Sequence, residues 1–122
     1  MVPLQVESAT PLAVAGTAAL FALFLSVTAH LAARNVLGDV PVRNAFVVGP
    51  LPAAIAVVAA ALELPSIPAV VVAVAVDATL VRFVYGLDRR LTAGVTVVHA
   101  VVSVILGSVI FSLYVLVLSA PG

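Results

Sequence analysis

A chain of 122 residues with 65% hydrophobic and only 8% charged side chains cannot clothe a soluble core, because soluble domains carry about 25% charged residues. Its formal net charge is zero, so nothing steers it to nucleic acid, and it has no cysteine for a disulfide, a thiolate metal site or a redox pair. The partner this composition implies is a lipid bilayer, which solvates apolar side chains directly.

Four apolar runs follow in chain order, each near the roughly 20 residues needed to cross the hydrocarbon layer. The first extends from Pro11 to Ala33, with Thr10 placed to cap it and Pro11 in the first turn, where a missing N–H costs nothing. No basic residue precedes it and it is too long for a signal-peptide core. The second extends from Asn44 to Leu62 and contains Gly49-Pro50-Leu51-Pro52. Neither proline can donate to the carbonyl four residues earlier, here Phe46 and Val48, so a kink or an opening is expected about 9 Å into the span. Gly49 is expected to loosen the same point.

The third run extends from Ile67 to Leu87, with Ser66 as a candidate cap and Pro68 in the first turn; the fourth, Leu91 to Leu118, is longer than a bilayer and must tilt or protrude. All four are rich in Val, but an exposed strand edge is not tolerated in lipid and a barrel would alternate polar with apolar residues. The expected fold is therefore an all-α antiparallel bundle of four transmembrane helices, a single domain over residues 1–122, joined by short connections.

Charge gives the orientation. All five basic residues are arginines; Arg34 and Arg43 flank the first connection, Arg89 and Arg90 lie in the third, and Arg82 sits just inside the same end. The positive-inside rule puts these connections in the cytoplasm and both termini outside the cell membrane. Glu63 falls at the outer boundary, where water reaches it.

Four ionisable residues lie within the spans: His30, Asp77, Arg82 and His99. Counting about 1.5 Å per residue from the basic end places His30 at about 6 Å, Arg82 at about 8 Å, His99 at about 12 Å and Asp77 at about 15 Å. They occupy stripes of small residues at helical spacing: Ala15, Ala19, Ala22, Ser26 and His30; Ala69, Ala73 and Asp77; Thr96, His99, Ser103 and Gly107. Such stripes allow helices to pack, and Ser103/Gly107 is placed for close backbone approach. Asp77 and Arg82 point about 140° apart on one helix and do not pair. Asp77 and His99, close in depth on helices joined by a tight turn, are expected to share a hydrogen bond. Arg82 is expected to snorkel toward the headgroups and His30 to play a structural part.

The stretches Ser26-Val27-Thr28-Ala29-His30-Leu31-Ala32-Ala33-Arg34-Asn35-Val36-Leu37-Gly38-Asp39-Val40-Pro41 and Thr96-Val97-Val98-His99-Ala100-Val101-Val102-Ser103-Val104-Ile105-Leu106-Gly107 resemble segments of an uncharacterised family of short four-span membrane proteins of halophilic archaea. The resemblance implies a membrane location and brings no activity. Small multidrug transporters share the size and span count, but this first span has no carboxylate to couple transport.

No exposed Ser/His/Asp set, phosphate loop or HExxH motif is present, so no enzymatic activity, cofactor or metal is expected. Bis-histidine haem ligation would need His30 and His99 at one level, and their depths differ by about 6 Å. Two functions remain: a structural or accessory subunit of a homo-oligomer or larger membrane complex, and a small carrier or channel for protons, cations or a small solute using Asp77 and His99. Of these, the subunit is the leading expectation, since four short spans offer little machinery for alternating access.

Overall fold

A computed structural model describes residues 10–121. The expected domain ends at residues 1–9 and 122, and with them the placement of the N-terminus, lie outside the described residues. Five helices make four spans: α1 (Pro11–Leu37), α2 (Val42–Val48), α3 (Pro50–Ala61), α4 (Ser66–Tyr85) and α5 (Arg89–Ser119). Each span, with α2 and α3 taken together as Val42–Ala61, is long and apolar enough to cross a membrane. The chain is thus a multi-pass helical bundle, as its composition requires.

Local chemistry sets the helix ends. Thr10 Oγ1 accepts from the Ala13 amide at 3.0 Å and caps α1. α1 runs through Leu37, four residues past its expected end, and stops at Gly38, whose φ of 90° a side chain would resist. The candidate cap Ser66 is instead the first residue of α4, and Pro65, which makes no side-chain cap, precedes it. α4 stops at Gly86 in the left-handed conformation, and Asp88 Oδ1 then accepts from the Leu91 amide at 2.8 Å to start α5.

The Gly49-Pro50 break divides the second span, but Gly49 keeps helical dihedrals (φ −68°, ψ −43°) and its amide still bonds the Ala45 carbonyl at 2.9 Å. The interruption is therefore a missing donor at Pro50 and not an unwound loop. Gly49 has a different task from the flexibility expected of it. A Cβ there would lie 2.6 Å from Ser26 Cα, so glycine is what lets the second span press onto the backbone of α1. At Gly107, where the small-residue pair suggested close approach, a Cβ would meet only the Phe24 ring at 3.7 Å, an ordinary contact.

The spans form a ring in which α1 packs on α3 and α5, and α4 closes it by touching α3 and α5. Tight packing is confined to the end carrying the arginine connections, here the basic end. There Ala29, Ala32, Ala45, Val48, Val81 and Val95 form one buried cluster. Toward the opposite end the helices are covered far less, and α5 is exposed at every residue from Ser108 to its end at Ser119. At about 1.5 Å per residue α5 outreaches α4 by about 16 Å, so the long fourth span protrudes beyond the α3–α4 turn.

Candidate functional site

The polar residues of α1, α4 and α5 meet at the inner limit of the packed half. Asp77 and His99 stand eleven residues before and after Asp88. Counted along the two helices from this short turn, both side chains come to a similar depth, about 15 Å from it. His99 Nδ1 and Asp77 Oδ2 lie 2.8 Å apart, with both side chains more than nine-tenths buried. The hydrogen bond expected from depth alone is present.

α1 supplies the other half of the site. His99 Nε2 lies 3.1 Å from the Leu25 carbonyl oxygen and 3.0 Å from Thr28 Oγ1, and Ser103 Oγ donates to Thr28 Oγ1 at 2.8 Å. Thr28, fully buried, was not among the residues singled out by sequence. A signal was available, since it lies two residues from Ser26 and at about the depth of His99. Its place off the small-residue stripe of α1 hid it.

The carbonyl of Leu25 decides the tautomer. A carbonyl oxygen only accepts, so the Nε2 contact is a hydrogen bond only when Nε2 carries the proton. Thr28 then accepts from His99 and Ser103 while donating to Leu25 at 3.2 Å, its full capacity. With Nε2 protonated, the 2.8 Å contact between Nδ1 and Asp77 Oδ2 needs a proton of its own. Whether that proton resides on nitrogen or oxygen, the pair holds it as a net-neutral unit.

Two polar atoms beside this network have no partner. Asp77 Oδ1 and Thr96 Oγ1 are both buried and unbonded. Both residues line a half-open groove of about 360 Å³ that all four spans contribute to. It runs from Ser66 near the far-end turn, past Ala69 and Ala73, to Asp77, Thr96 and His99 at its floor. Pro52, just beyond the helix break, forms part of the opposite wall. The Ala69–Ala73 stripe of α4, half-buried, therefore lines the groove.

The remaining candidates lie outside this network. Arg82 is exposed and forms no ion pair among the described residues. His30, half-buried on α1, has a buried Nδ1 without a partner and makes no bond to the Asp77–His99 pair. Ala15 and Ala19, the outer members of its stripe, are exposed. No grouping of three or more metal-type side chains occurs among the described residues.

Residues 8–121 match the model of a family described as a family of unknown function (DUF7473). No curated protein and no solved structure matches the chain.

Proposed function

Since the chain belongs to this family of unknown function, its role has to be read from the site, and we propose that it is a small carrier or channel that takes protons, cations or a small solute to Asp77 and His99. The observation that supports this reading over the leading expectation from sequence is the groove. Its floor is the Asp77–His99 pair, and a buried carboxylate oxygen there has no bond. An unsatisfied acceptor at membrane depth is costly, and a bundle whose polar residues served only to hold helices together would bond both oxygens. The helix break beside Pro52 fits the same reading, as irregular backbone within the membrane is tolerated where it lines a cavity.

The proposed topology has the basic end in the cytoplasm and both termini outside the cell membrane, from the distribution of the arginines. The groove then faces the outer half of the bilayer. The resemblance to four-span proteins of halophilic archaea is consistent with this setting.

Flux in proteoliposomes tests the proposal. Asp77→Asn keeps the shape and a hydrogen bond to His99 but removes the exchangeable carboxyl proton, so proton or cation flux seen with the wild type should disappear. Undiminished flux in that variant would remove Asp77 from the pathway.

A second reading, a structural or accessory subunit, is favoured by the exposed overhang of α5, which carries Phe111, Leu113, Tyr114, Leu116 and Leu118. Native mass spectrometry separates the two: a single copy with no companion subunit in gently extracted protein argues against the subunit role.

A further inference from the structure

We propose that the groove above Asp77 and His99 binds an apolar, membrane-dissolved molecule carrying one neutral hydrogen-bond donor, of which a long-chain alcohol is the simplest case. This deepens the carrier reading by naming the ligand class, and it rests on that reading only for the step of transport.

The argument has three parts. The first is charge. Leu25 holds a proton on His99 Nε2, so the Asp77–His99 contact holds a further proton and the pair has no net charge. The second is polarity. Asp77 Oδ1 is a pure acceptor while the shared proton stays on the Oδ2 side, and Thr96, which lines the same groove, has a hydroxyl with no partner. A hydroxyl can donate to an atom of the first kind and accept from one of the second, so a single neutral group matches the chemistry of both orphans. An ammonium group would find no opposite charge to offset its loss of water.

The third part is shape and access. The walls above the floor, among them Phe21, Leu25, Ala73 and Val74, are apolar apart from Ser66 at the far end and Ser103, whose hydroxyl is committed to Thr28. The distance from Ser66 to Asp77 along α4 is about 16 Å, long enough for an extended hydrocarbon tail. The volume of about 360 Å³ falls at the small end of ligand sites. The groove is open on one side, so the molecule enters from the acyl chains and not from water.

Three ten-carbon probes test this against the wild-type protein in lipid nanodiscs, with the ¹⁵N resonances of the His99 ring as the readout. 1-Decanol should shift Nδ1 saturably, decyl methyl ether (which cannot donate) should bind at least tenfold more weakly, and decylammonium should bind no more tightly than the alcohol. Ala73→Phe fills the groove next to Asp77 and should abolish the saturable shift. Thr96→Val, which removes the second orphan with little change in volume, should weaken 1-decanol about threefold while leaving the spectrum of the free protein in place. Equal binding of alcohol and ether would overturn the proposal, as would a tenfold preference for decylammonium or an unchanged response in both variants. Loss of 1-decanol binding together with Asp77-dependent flux would remove the ligand class and leave the carrier reading standing.

Discussion

The two ends of the bundle are made from nearly the same residues and behave differently. At the basic end, α1, α2 and α4 bury alanines and valines to complete exclusion, as at Ala32, Ala33, Ala45 and Val48. At the far end, Leu12 and Leu20 of α1 and Leu113 and Leu116 of α5 are exposed, and among the described residues only Ala59 of the buried apolar set lies near the far-end turn. Hydrophobicity cannot account for the contrast, because lipid is as apolar as leucine. What distinguishes the ends is closeness of backbone approach and the presence of hydrogen bonds between helices. Glycine at position 49 and the Thr28–His99–Asp77 chain are both at the basic end. A membrane bundle is closed by fit and by polar contacts, and where these are missing the helices remain apart.

The sharpest way to break this contrast is to remove His99. His99→Leu leaves the Asp77 carboxylate buried without a partner, and about 3–5 kcal/mol of stability should be lost. Adding Asp77→Leu to that variant should restore much of the loss, because an apolar pair needs no partner. Thermal unfolding in detergent measures both; a double variant no better than the single would show that the pair contributes through shape alone.

Gly49→Ala comes next. The new methyl group meets the Ser26 backbone, so α1 and the second span must separate, at a cost of about 1–3 kcal/mol. A crosslink between cysteines placed at Ala22 and Ala53 should form more slowly in that variant. The smallest effect separates the two ends directly. Val81→Ala, at a site only 1% exposed, should cost about 1 kcal/mol in lost contacts, whereas Leu113→Ala, at 56%, should be neutral within about 0.5 kcal/mol as lipid fills the space. Equal losses at the two positions would mean that the far end is packed after all.

Much of this was legible in the sequence, and the reason is that depth along a helix is simple arithmetic. Asp77 and His99 could be matched because each is counted from the same short turn, and Thr10 could be assigned because capping is a local event. What could not be read depends on distances between helices. Gly49 looks like a source of flexibility beside two prolines until α1 is seen lying against it. Ser66 has the right chemistry for a cap, but the chain enters the helix one residue earlier, at Pro65. Asp88 and Gly86 carried clear local signals, a capping carboxylate and a glycine at a helix end, yet the hydrophobic run into Leu87 obscured them. The groove had no signature at all, since alanine spacing is the same whether a stripe faces a helix or a space.

The left-handed turn at Gly86 and the cap at Asp88 make the α4–α5 hairpin resemble a pair of tongs pinned at one end. The jaws touch about halfway along α4, where Asp77 meets His99 about 15 Å from the pin, and the tips lie some 30 Å away. A tilt of about 10° at the pin would move the tips by about 5 Å and the Asp77–His99 contact by about half as much, so widening the groove in this way pulls on the bond at its floor. Three residues, Gly86 to Asp88, thereby govern an aperture on the opposite side of the molecule.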